Sequence, residues 1–314
     1  MSHISSLSLT FVDFIILISY NTSVKVYAEQ LFVCLFCHRK EAKLLYRKSL
    51  KIFCGTTAAA AILRALLKIL YIDLETGFYL GGGILVYLLP VVMAVGVAGI
   101  VFFAYAEKSD SAGSLRGNRF IEITMALLGV AVFAVSALRL PKAIAISPKT
   151  VLVNCLPKWL QIAEHSLGVV SGFVFLYLAF CLISGAKSSG LHGMAALIPA
   201  IWQTIAMVDR FISFREVSTA SDQLIETLYL VCATLFLLAN ARCLAGMAKS
   251  RRRCVIWGLL ASHLGLVLAA GQLSATVVLG SDISGPPLLQ NLLILAFSIY
   301  AVSLSASLAL SNNE

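Results

Sequence analysis

Long apolar runs broken by short polar stretches dominate the chain, and the length of these runs is a stronger signal than their periodicity. A bilayer core of roughly 30 Å takes about 20 consecutive apolar residues to cross at the helical rise. Six runs meet that requirement, over approximately Tyr79–Tyr105, Phe120–Leu138, Ser166–Gly185, Leu224–Gly246, Cys254–Leu279 and Leu288–Leu310. Met194–Phe214 is read as a seventh span, although Gln203, Asp209 and Arg210 occupy its second half. An eighth run, Ile52–Tyr71, is Ala-rich and carries Arg64 and Lys68 four residues apart, hence on one helical face. It either spans with those heads paired or snorkelling, or lies flat in the interface.

The placement of charge favours eight spans. With Ile52–Tyr71 spanning and the N-terminus cytoplasmic, seven Lys/Arg precede the first span. Lys108, Arg116, Arg119, Lys187, Lys249 and Arg251–Arg253 then also fall inside, fifteen in all, against six outside: Arg139, Lys142, Lys149, Lys158, Arg210 and Arg215. If the run lay on the surface, Lys249–Arg253 would be forced outside, against the positive-inside rule for a short loop. The expected fold is therefore an all-α polytopic transmembrane helix bundle of eight spans, or seven if 52–71 is interfacial. Residues 1–50 form an N-terminal cytoplasmic tail, disordered or upstream of the true start; 51–310 form the transmembrane domain and 311–314 a short tail. Both termini are expected in the cytoplasm, with the protein in the plasma membrane. Arg139–His165, with Pro141, Pro148 and Pro157, is expected to be irregular or partly re-entrant.

Composition narrows the class further. Of 314 residues, 60% are hydrophobic and 12% charged, against roughly 45–50% and 25% in ordinary soluble domains. The mean hydropathy of +0.92 leaves too little polar surface to cover a soluble protein of this size. The net charge of +9 reads as cytoplasmic loop charge and carries no nucleic-acid interpretation. Cys54, Cys181, Cys232, Cys243 and Cys254, five of eight cysteines, lie in or beside apolar segments, where free thiols behave as small hydrophobes.

Candidate chemistry is sparse. Cys34-Leu35-Phe36-Cys37-His38 has the C-x-x-C-H form of c-type haem attachment. It runs directly into the basic stretch that marks the inside, so no haem and no metal is expected there. Polar side chains within spans are more informative, because they are costly in hydrocarbon and mark candidate sites. Asp222, Glu226, Tyr229 and Asn240 share a stripe. Gly258, Ser262, Gly265, Ala269, Gln272 and Thr276 form a small and polar seam beside His263, and Asn291, Ser298 and Ser305 repeat every seven residues. Such seams serve helix packing or line a wet cavity. The densest polar stretch is Trp202–Glu226, where Trp202 with Asp209, and Gln203 with Arg210, lie seven apart. It reads either as a vestibule for a polar solute or as an interfacial salt-bridge collar. There is no H-E-x-x-H, Walker A loop or G-x-S-x-G elbow.

These features point to transport or binding of a small polar or ionic solute by the C-terminal helices. Glu226 is the expected carboxylate and Arg210 its partner or an anion contact, with Gln203, Asp209, Asn240, His263 and Gln272 as further candidate lining groups. No cofactor is expected. A rival reading is a sensor or assembly subunit, in which Lys249–Arg253 contacts anionic lipid or a cytoplasmic protein. A third is a membrane-embedded enzyme using Glu226 and His263 as acid and base.

Overall fold

A chain can satisfy its backbone polar groups in a bilayer as helices or as a closed barrel, and the described residues of the computed structural model form helices. It describes residues 44–72, 79, 83–106, 118–145, 157–185, 189–213, 220–247, 250–279 and 288–310. The tail to residue 43 with its C-x-x-C-H motif, Arg215, Lys249 and the end from 311 lie outside the described residues. Among those described there are eight helices, α1 (Leu44–Leu70), α2 (Gly83–Ala106), α3 (Arg119–Ala145), α4 (Lys158–Ile183), α5 (Gly190–Ser213), α6 (Ala220–Leu244), α7 (Ser250–Leu279) and α8 (Leu288–Leu310). Each is long and apolar enough to cross a membrane. The protein is an all-α bundle of eight candidate spans.

Local chemistry fixes several helix ends. Asn118 accepts the Phe120 N–H at 3.1 Å and caps α3. Gly185, with φ +69°, follows α4. Past α6, Gly246 (φ +70°) donates to the Cys243 carbonyl and Met247 to that of Arg242, both at 3.0 Å, a Schellman closure that needs a left-handed residue. Of Arg139–His165, expected to be irregular or partly re-entrant, both ends are helical, since α3 runs through Pro141 to Ala145 and α4 begins at Lys158; residues 146–156 lie outside the described residues. Proline keeps a helical φ and removes one N–H, which near the end of α3 does not stop the helix.

Helix α7 lies at the centre, packed on α1, α2, α6 and α8; 83% of its span is buried, against 22% of α2. Helices α3, α4, α5, α6, α7 and α8 pack in that order, and α8 returns to α3, so the six close a ring. The small-residue seams make these contacts. Ser262 on α7 donates to the Ser298 carbonyl on α8 at 2.9 Å, and Gly172 on α4 meets α3 so closely that a Cβ there would stand 2.9 Å from the Gly129 carbonyl.

The charged face of α1 is turned onto α7. Lys68 and Arg64 are each 1% exposed. Lys68 Nζ donates to Gln272 Oε1 at 2.7 Å, and the Arg64 side chain lies over Gly271, where a Cβ would come within 2.9 Å of its Nε. Burying both heads against another candidate span fits α1 as the eighth helix of the bundle, with the exposed charges Lys48 and Lys51 confined to its first turns. At the other end of α7, Arg251 is also buried: its Nε donates to the Leu308 carbonyl at 2.8 Å, satisfying the last turn of α8. Of the basic run expected at the surface, Arg251 is thus internal and Arg253 is exposed.

Candidate functional site

A cavity of about 90 Å³ opens inside the ring, at the end where α3 and α5 finish and α4, α6 and α8 begin. Its charged lining comes from Arg139 on α3, Glu164 on α4, and Asp209 and Arg210 on α5. Gln203, buried on α5, and Gln290 at the start of α8 add amides. Trp202, Tyr229 and Phe297 form apolar wall.

The position of each helix follows from neighbouring small residues. Ser136, one turn before Arg139, is buried against Gly168 of α4; a Cβ on Gly168 would collide with the Ser136 hydroxyl and stand 2.8 Å from Trp202 Nε1. Glycine at 168 thus brings α3, α4 and α5 together directly beneath the cavity.

Hydrogen bonds then link four helices across the opening. Arg210 Nε lies 2.7 Å from Glu226 Oε1, with side-chain exposures of 26% and 6%. Gln290 Nε2 donates to the same Glu226 oxygen at 3.5 Å, and Arg139 Nη2 donates to Gln290 Oε1 at 3.1 Å. The series Arg139, Gln290, Glu226, Arg210 therefore ties α3 to α8, α6 and α5. Glu164 stands apart from it. The residue is 7% exposed and lines the cavity, yet among the described residues its carboxylate has no hydrogen-bond or ion-pair partner. Asp209, Arg139 and Arg210 are the charges it feels.

Below the cavity the ring is aromatic. Tyr229 meets Phe297 edge-on with centroids 6.1 Å apart, Phe297 meets Phe236 at 5.8 Å, and Tyr300 meets Phe236 at 5.9 Å and Phe175 at 6.0 Å. These contacts form an aromatic floor with normal edge-to-face geometry.

Of the side chains singled out in the sequence, Gln203, Asp209, Arg210 and Glu226 come together at this site. Asn240 does not. Although in line with Glu226, it lies fourteen residues on, roughly 21 Å along the axis, and donates to Tyr300 Oη at 2.9 Å under the aromatic floor. His263 and Gln272 face α1: His263 Nδ1 shares a 2.7 Å hydrogen bond with Thr57 Oγ1, and Gln272 holds Lys68. Glu226 and His263 therefore share no hydrogen bond through which acid–base chemistry could run.

Arg139, Glu164, His165 and Gln290 are site residues that the sequence reading did not select. The available signal was the concentration of basic residues from Arg139 to Lys158, and the helical spacing Glu164, Gly168, Gly172 once α4 is extended back to Lys158. Among the described residues no cluster of His, Cys, Asp or Glu is arranged to hold a metal ion. Compared with protein-family models, curated proteins and solved structures, the chain matches none.

Proposed function

We propose that this multi-pass membrane protein binds a small polar or ionic solute in the α3–α6/α8 cavity, as the loading step of its passage through the C-terminal helices. The observation that carries the reading is the convergence of four charged side chains from three helices on one cavity, with Glu226 of a fourth helix paired to Arg210, within a bundle that otherwise needs only apolar surface. Ionisable groups within spans are expensive and are kept where they serve a solute or a charge pathway. At about 90 Å³ the cavity has room for on the order of half a dozen waters, which limits the solute to a few heavy atoms. By the positive-inside count the cavity faces the exterior, with both termini cytoplasmic in the plasma membrane.

The test is a thermal-shift screen of purified protein against small amines, amino acids, carboxylates and polyols, followed by uptake into proteoliposomes. One class is expected to raise the melting temperature by several degrees at saturation, to lose much of that shift in Glu226→Gln, and to accumulate in vesicles. If no class stabilises the protein, the reading fails. The aromatic floor favours a second reading, a sensor that binds without translocation; stabilisation without uptake selects it.

A further inference from the structure

Independently of the solute, we infer that the end of the bundle where α1 and α7 begin binds anionic phospholipid, with Lys48 and Lys51 of α1 and Arg253 of α7 taking the headgroup phosphates. The first ground is register. Arg251 Cζ lies 5.9 Å over the Tyr46 ring, Thr57 is hydrogen-bonded to His263 and Lys68 to Gln272, all at separations of 204 to 206 residues. Helices α1 and α7 are therefore parallel and level, and basic stretches remote in sequence come to one end of the bundle. Helix α2 runs the other way along α1, with Ile52 against Gly99 and Lys48 Nζ 6.0 Å from the centre of the Phe103 ring. It finishes at the same end.

The second ground is what this end lacks. Helices α1, α2 and α7 contain no acidic residue. In the sequence that adjoins their ends here, 39–43, 107–117 and 248–249, six basic residues accompany four acidic ones. Arg251 is committed to the Leu308 carbonyl and Arg252 is half-buried, so neither is counted. Lys48, Lys51 and Arg253 are exposed. Each such side chain at a membrane surface raises the affinity for anionic lipid by about fivefold.

The third ground is the surface beneath the charges. Lys48 and Lys51 head a stripe with Gly55, Ala59 and Ile62, all exposed and three or four residues apart. Below the two ammonium groups the same outward face of α1 is thus apolar. On α2, Phe102 and Tyr105 also face outward, 67% and 60% exposed. Lysines at the head of a lipid-facing stripe extend into the headgroup layer, and aromatic side chains favour the same layer. A soluble polyanion would meet the charges and leave the stripe uncovered. A phospholipid covers both, with its phosphate on the cations and an acyl chain along Gly55, Ala59 and Ile62.

The probes are phosphatidylglycerol, phosphatidylcholine with the same acyl chains, and glycerol 3-phosphate, added to the purified full-length chain in a neutral detergent. Affinity is read from the dependence of the melting temperature on probe concentration. Phosphatidylglycerol is expected to bind about tenfold or more tightly than phosphatidylcholine, and glycerol 3-phosphate to give no shift. Lys48→Gln, Lys51→Gln and Arg253→Gln are each expected to weaken phosphatidylglycerol binding by about fivefold, and the triple variant by about a hundredfold. All three side chains are exposed, and the melting temperature without lipid reports that each variant is folded. Lys142→Gln, exposed at the far end of α3, is the control and should cost less than about twofold, because it lies well beyond the screening length. Phosphatidylcholine binding as tightly as phosphatidylglycerol overturns the inference, and so does a loss in Lys142→Gln equal to that in Lys51→Gln. Glycerol 3-phosphate matching the lipid would show a free-phosphate site in place of a lipid one. Full affinity in Arg253→Gln would show that α7 takes no part, which removes the shared site.

Discussion

Arg210 and Glu226 show how one side chain can be worth more to its neighbours than to itself. Glu226 is almost wholly buried and takes hydrogen bonds from both Arg210 and Gln290. Arg210→Met would leave that carboxylate buried without its counter-charge, at a cost of about 2–3 kcal/mol. Glu226→Leu alone is expected to cost a similar amount, and the double variant less than the sum of the two, because it strands no charge. Denaturation in detergent of the four proteins of this cycle measures the coupling; strictly additive losses would show that the pair is not coupled. The sequence made this pair legible, since an acid one turn into a span has few options other than a nearby base. Glu164 was not legible. Its span was taken to begin at Ser166, so the acid was assigned to an irregular segment outside the bundle. A hydropathy window penalises the polar residues that a cavity gathers at a helix end.

Helix by helix, apolar length marked the spans, with the charge count deciding for α1 and the start of α4 missed by eight residues, and small-residue spacing marked faces that pack. It did not say which helix each face meets. His263 and Gln272 lie on a polar stripe of α7, and only the position of α1 decides that they serve Thr57 and Lys68 and not the cavity. Gly168 is where packing and site coincide. Gly168→Ala is expected to destabilise the protein by about 1–3 kcal/mol through overpacking at the α3/α4/α5 junction. Val170→Ala, two residues on and facing outward at 44% exposure, is the control and should change stability little. Melting curves of the two variants make the comparison, and equal effects would mean that the junction is looser than its contacts indicate.

For the whole molecule, the ring of α3–α8 builds the cavity, while α1 and α2 join it chiefly through α7. An even number of spans puts both ends of the bundle on one side. Reporter fusions at Ala112 and Ser250 are expected to read cytoplasmic, and an extracytoplasmic signal at Ser250 would invert the orientation and the side on which the cavity opens. The bond between Lys68 and Gln272 spans 204 residues of sequence, and this separation bears on biosynthesis. The ribosome delivers α1 to the bilayer, with Arg64 and Lys68 inside its apolar stretch, long before α7 exists to receive them. Helix α1 must therefore wait, shielded by the insertion machinery or shallowly placed, until α7 arrives. A chain truncated ahead of Ser250 should show α1 incompletely protected from protease in membranes, and protection equal to that of the full chain would mean that α1 settles without its late companion.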